Sequence, residues 1–205
     1  MSAYRIEGII GDTGNTAAAL SAYLAQHPSG ANVVINSPGG CAFEGSAMLA
    51  ELERHGAATV TMQGVVASAA SLIAMGGREI VMHRDCVLMI HDPSSLSFGT
   101  ADRHRQTAAT LDKLSDTYAR AYARATGHPV ARVKAWMQAE TWLDADEALA
   151  LNFADRIEGD DRPVAVAQFD FTRFQHAPAS LVRMARANGW ATASPDTGKK
   201  ETTDA

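Results

Sequence analysis

Ser68 follows the segment ATVTMQ and the passage GVVA, and it opens a run of small residues, ASLIAMGG. A serine at a sharp strand-to-helix passage holds its hydroxyl beyond the carboxyl end of a strand, where a ligand can reach it. The helix start behind it offers N–H groups and a positive dipole end to a developing oxyanion. The competing use of the same residue is a plain helix cap, for which serine is favoured. His91 ends the apolar run CVLMIH and precedes Asp92-Pro93. Neutral imidazole takes a hydroxyl proton near pH 7, and a place at the end of a strand puts it on the same sheet edge as Ser68. The alternative is a partly buried structural histidine. A third group must fix the imidazole tautomer. Asp92 is adjacent and must fold back to do so, Asp144 reads as the cap of a following helix, and Glu140 ends the helical segment VKAWMQAE; spacing leaves all three open. Ser71, one helical turn beyond Ser68, reads as a small packing residue. In SPGG, Gly39 and Gly40 permit a close backbone approach or positive φ, so their N–H groups could face a substrate carbonyl; the same four residues also make an ordinary turn.

The elements that must carry these residues follow from the hydrophobic pattern. YRIEGII at 4–10 reads as a strand, and AAALSAYLAQ as a helix capped by Asn15 or Thr16. VVIN is short, apolar and β-branched, like a strand buried on both faces, with SPGG as a turn after it. AFEGSAMLAELERHG reads as a helix ending at Gly56. ATVTMQ, REIVMH and CVLMIH add strands, with GVVAS as a tight passage between strand and helix. Alternating strands and helices predict an α/β fold with a parallel sheet. Residues 101–126 are long, charged and helical in pattern, with Leu111, Leu114, Tyr118 and Tyr122 at helical spacing. That pattern suits a solvated surface helix or an oligomer contact. A helix with Pro129 in its first turn and an Asp144-capped short helix follow. AVAQFDFTRF is expected to add an edge strand or to pack back by its aromatic rings. One domain over 1–187 and a disordered tail over 188–205 complete the expectation.

Composition narrows the function classes. A chain of 205 residues with 46% apolar residues is long enough for one domain with a core and short for two. A formal net charge of −5 argues against a general nucleic-acid binder, which needs clustered Lys and Arg. The absence of a long apolar run predicts no transmembrane helix, and the N-terminus does not read as a signal peptide. Cys41 and Cys86 lack both disulfide and metal-ligand patterning, which fits a reducing cytoplasm. No metal and no cofactor is expected.

Taken in order, INSPGG (35–40), GVVASAAS (64–71), MIHDP (89–93) and ETWLDADEAL (140–149) closely resemble the signature blocks of the ClpP peptidase family. The resemblance covers residues 6–157 and is closest to the ClpP-like head-maturation proteases of phages and prophages. It implies a ClpP/crotonase-like spiral of ββα units, with the helix at 101–126 as a handle between stacked rings. It assigns Ser68 as nucleophile, His91 as general base and Glu140 to the place where ClpP enzymes usually carry an aspartate. Gly39 and Gly40 match the substrate-binding and oxyanion loop, with Ala69 as a second oxyanion donor. The implied function is a serine endopeptidase that processes scaffold or capsid polypeptides in the host cytoplasm or the assembling prohead, as a homo-oligomeric ring without nucleic acid or membrane. The alternatives are a housekeeping proteolytic subunit served by an ATP-driven AAA+ unfoldase, and a ring-forming assembly protein without activity. A Ser–Lys dyad is disfavoured because Lys113 and Lys134, the lysines before the tail, read as helix surface.

Overall fold

A computed structural model describes residues 3–159 and 165–191. The chain divides into two compact units, residues 1–167 and 168–205. The first unit opens with strand β1 (Tyr4–Ile10) and helix α1 (Ala17–Ala25). Thr16, not Asn15, caps α1, its hydroxyl accepting from the N–H of Ala19. Asn15 instead donates its side-chain amide to the carbonyls of Glu7 and Ile9. Strand β2 (Ala31–Gly40) and helix α2 (Ala42–His55) come next, and Gly56 ends α2 in the left-handed conformation (φ 65°). Strand β3 (Ala58–Ala67) leads into the six-residue helix α3 (Ala69–Ala74), then strands β4 (Glu79–His83) and β5 (Val87–Ile90).

The parallel strands run in the order β1-β2-β3-β4, as the repeated strand–helix alternation predicts. β3 does more than fill one place in that row. Its first half, Thr59–Met62, pairs with β4, and its second half, Val65–Ala67, pairs with β5. Gly64 turns the strand between the halves at φ 61°, where an added Cβ would lie 2.7 Å from Asn36 Oδ1. The expected tight passage GVVA is therefore strand, because both sides of it find pairing partners. SPGG is also strand rather than turn: Ser37 pairs with Val66, and Gly39 and Gly40 pair with Ile9 and Ile10 after register shifts.

Helix α4 (Ala101–Thr126) is about 39 Å long at 1.5 Å per residue. Its first ten residues are almost wholly exposed, while Tyr118, Ala119, Ala121, Tyr122 and Thr126 are buried. Helix α5 (Val130–Gln138) follows, with Pro129 at its N-cap. Strand β6 (Thr141–Leu143) then pairs antiparallel with β5, so the sheet is mixed. A three-residue strand is too short to show alternation, and its pairing is decided by the neighbour it meets. Helix α6 (Ala145–Ala150) and strand β7 (Arg156–Glu158), parallel to β4, complete the seven strands. One face of the central strands is fully buried: Val33, Ile35, Val60, Met62, Leu88 and Ile90 have no measurable exposure, while Val34, Thr59 and Thr61 at the alternate positions are half-buried. Each such side chain contributes about 1.5–3 kcal/mol by leaving water.

In the second unit, Phe169, Phe171 and Phe174 form a ring cluster with centroids 5.4–6.5 Å apart. Residues 165–174 add no edge strand; Phe171–Arg173 is a short 3-10 turn. Helix α7 (Ala179–Ala187) follows and is closed by Asn188, Gly189 and Trp190, whose N–H groups bond back to its carbonyls. Of the expected tail, residues 192–205 lie outside the described residues.

Candidate active site

Ser68 stands between β3 and α3 with φ 57° and ψ −127°, a conformation unfavourable for a residue with a Cβ. It occupies the cap position of α3, yet its side chain makes no hydrogen bond to the helix. The hydroxyl instead lies 2.8 Å from Nε2 of His91. For Ser68 to donate in that contact, Nε2 must be bare and Nδ1 must carry the proton. His91 follows directly after β5, and β5 pairs with the end of β3. The N–H of Ser68 donates to the carbonyl of Met89 at 3.0 Å, fixing the two strand ends to each other.

Burial lowers the His91 pKa below its ordinary value, because the charged imidazolium is poorly solvated there. The negative charges of Glu140 and, more weakly, Asp92 oppose that shift. The imidazole is thus neutral at pH 7, the form a general base requires. Glu140 sits between α5 and β6, buried, in the left-handed conformation (φ 48°). Its Oε1 accepts from the indole N–H of Trp142 at 3.2 Å. Among the described residues, the non-glycine residues at positive φ are Ser68, Glu140 and Asn152. Two of the three are candidate site residues, and strained backbone of this kind concentrates at functional sites.

The other two carboxylates have different surroundings. Asp92 donates its N–H to Met137, and its carboxylate accepts from Ser115 of α4 at 2.6 Å. Asp144 forms a capping box on α6: its side chain accepts from the N–H of Glu147, and the Glu147 side chain accepts from the N–H of Asp144. The cap expected of Asp144 is what the structure contains.

Gly39 packs directly against Ser68. A Cβ on Gly39 would lie 2.6 Å from the Ser68 Cβ and 3.1 Å from the Ala69 nitrogen, so only glycine fits. The Gly39 N–H donates to the Ser37 hydroxyl at 3.1 Å. Gly40 lies against β1, where a Cβ would come within 2.7 Å of the Ile10 nitrogen. Ala69 is buried as the first residue of α3, and first-turn N–H groups have no acceptor within their own helix.

This geometry brings a serine hydroxyl, a neutral imidazole and a buried carboxylate to one end of the sheet, and the family assignment agrees. The sequence profile of the Clp protease family matches residues 13–161.

The chain belongs to the Clp protease family. By family it is a serine-type endopeptidase. It is 29% identical over 130 residues to the ATP-dependent Clp protease proteolytic subunit 2 of Bacillus licheniformis, covering 62% of this chain and 68% of that protein. It is 33% identical over 129 residues to the chloroplastic ATP-dependent Clp protease proteolytic subunit 1 of Arabidopsis thaliana, covering 60% and 65%. The match therefore spans about two thirds of the length of these curated relatives. Among solved structures, a ClpP1 mutant from Listeria monocytogenes superposes with a TM-score of 0.68 at 22% identity, over 78% of this chain and 92% of that one, which shows the shared fold.

Three residues of this Clp-family site escape a reading of the sequence. Trp142 supplies an N–H to Glu140. Ser71, read there as a packing residue, and Tyr122, read there as an apolar position of the long surface or contact helix, bond to one another and to the main chain around Ser68. The proximity of ETW in sequence is a signal for the first; nothing in the pattern signals the pair. Among the described residues, no cluster of His, Cys, Asp or Glu could hold a metal ion, and no helix is long and apolar enough to cross a membrane.

Proposed function

We propose that this chain cleaves polypeptides by acyl transfer, with Ser68 as nucleophile, His91 as general base and Glu140 orienting the imidazole. The observation that carries the reading is the 2.8 Å contact between Ser68 Oγ and His91 Nε2. Ser68 attacks the scissile carbonyl while Nε2 takes its proton. The tetrahedral oxyanion is met by the main-chain N–H groups of Gly40 and Ala69. His91 then returns the proton to the leaving amine, and water repeats the sequence on the acyl-enzyme. Glu140 orients the imidazole and holds the Nδ1–H tautomer. The working form is a homo-oligomeric ring, with the exposed half of α4 as a surface for contact between copies.

The substrates we favour are phage scaffold or capsid polypeptides during prohead maturation, a reading supported by the likeness of the four motif blocks to that group. The names of the relatives support a second reading, in which an ATP-driven unfoldase delivers the substrate. Incubation of the purified protein with unfolded and capsid-derived polypeptides, with and without ATP and an unfoldase, separates the two. ATP-independent, limited cleavage of capsid polypeptides is expected; degradation only with the unfoldase and ATP selects the second. Fluorophosphonate labelling tests the chemistry common to both: the native protein should label, and persistent labelling of Ser68→Ala would contradict the assignment of the nucleophile.

A further inference from the structure

Ser71 and Tyr122 are both fully buried hydroxyl-bearing residues, one in α3 and one in the packed end of α4. Their oxygens are 2.9 Å apart. Ser71 Oγ also lies 2.7 Å from the carbonyl oxygen of Ser68 and 2.8 Å from that of Met89. Tyr122 Oη lies 3.5 Å from the same Ser68 carbonyl. A hydroxyl has one hydrogen to give and two lone pairs to accept with. Two hydrogens are thus shared between two buried carbonyls and each other, so neither hydroxyl is spare.

The two carbonyls are those that place the reacting groups. The Ser68 carbonyl belongs to the residue with φ 57° and ψ −127°. The Met89 carbonyl already accepts the Ser68 N–H at 3.0 Å, and it lies two residues before His91. Ser71 therefore bridges the peptide that carries the hydroxyl to the strand that carries the imidazole. Tyr122 ties that bridge to α4. Beyond each other, the two hydroxyls bond the main-chain carbonyls of Ser68 and Met89, so both act through the main chain.

We infer that Ser71 and Tyr122 are positioning residues, a buried hydroxyl pair that holds Ser68 in its strained conformation at the correct distance from His91. The inference rests on the peptidase reading proposed above. Burial raises the Tyr122 pKa far above its ordinary value, so the phenol stays protonated and can donate throughout the working pH range. Positioning of this kind acts on the chemical step. An error of about 1 Å at a reacting group costs on the order of a hundredfold in rate.

The test compares wild type, Ser71→Ala, Tyr122→Phe and the double variant in peptide hydrolysis and in fluorophosphonate labelling of Ser68. Both single changes remove a hydroxyl with little change of shape. The expected result is a fall in kcat of about tenfold to a hundredfold for each, with KM unchanged and slower labelling in proportion. The double variant should lose little more than the worse single one, because the hydroxyls act as a unit. The acid limb of the pH profile should stay in place, since Glu140 and Asp92, the charges acting on His91, are untouched. Circular dichroism and native mass spectrometry keep loss of folding apart from loss of positioning. Should one variant unfold, the other still gives the kcat reading. Folded variants with wild-type kcat and labelling, or losses that simply multiply in the double variant, overturn the inference. A wild-type protein that hydrolyses nothing and does not label at Ser68 overturns the peptidase reading itself, and is distinguishable because it fails before any variant is compared.

Discussion

Ser68 and Asp144 both stand at the cap position of a short six-residue helix, and they use it in opposite ways. Asp144 has extended backbone (φ −76°, ψ 179°), which swings its carboxylate back over the first turn of α6 to accept from Glu147. Thr16 does the same at α1 from φ −124° and ψ 157°. Ser68, at φ 57° and ψ −127°, makes no such bond and presents its hydroxyl to His91 instead. Residue type does not separate these cases, since serine, threonine and aspartate are all good caps. The backbone conformation does. A cap lowers the energy of its helix, whereas Ser68 raises the local energy to point a hydroxyl at a base.

The sharpest way to break that contrast is Ser68→Ala, which should reduce peptide hydrolysis by on the order of 10⁶-fold and abolish fluorophosphonate labelling. Glu140→Gln comes next, with an expected loss of about 10²- to 10⁴-fold in kcat. It also carries a pH signature. Burial depresses the His91 pKa and the Glu140 charge partly restores it, so the acid limb of kcat/KM in the native protein should lie below the ordinary histidine value of about 6.5. Removing that charge should move the limb to lower pH still; a shift upward would remove Glu140 from its assigned place. The same depression has a consequence for stability. Below about pH 6.5 the unfolded chain binds a proton that the folded His91 resists, so this group's contribution is lost as pH falls.

Smaller effects sharpen the comparison on the stability side. The conformation of Ser68 is the mirror image of one that is ordinary for L-residues, and glycine adopts it freely. Ser68→Gly should therefore be inactive yet about 1 kcal/mol more stable in urea unfolding. Asp144→Ala should do the reverse, losing about 1 kcal/mol of stability while Ser68 labelling and the pH profile stay unchanged. If Ser68→Gly were the less stable variant and Asp144→Ala the inactive one, the two helix starts would have to exchange roles.

Much of the site's location was legible in the residues. Ser68 and His91 read as the ends of apolar strands on one sheet edge, and adjacent parallel strands β3 and β5 bear them. The cap at Asp144 and the left-handed glycine stop at Gly56 follow from local chemistry, and both are present. Other features were not legible. SPGG and GVVA carry turn residues, but parallel pairing on both sides holds them as strand, with glycine supplying the bends. β6 is three residues long and takes its antiparallel place because β5 offers an open side. The partners that Asp92 and Asp144 find, Ser115 and the N–H of Glu147, are given by no spacing.

By itself the sequence determined the strand–helix alternation, the helix ends, and the residue types able to move a proton from a hydroxyl, because these depend on periodicity, capping and side-chain pKa within a few neighbours. Only the tertiary structure decided that Ser68 leaves its helix uncapped, that two buried hydroxyls from distant segments support it, and which carboxylates act on His91. Those outcomes depend on contacts between residues as far apart as Ser71 and Tyr122, and such contacts exist only once the chain has closed on itself.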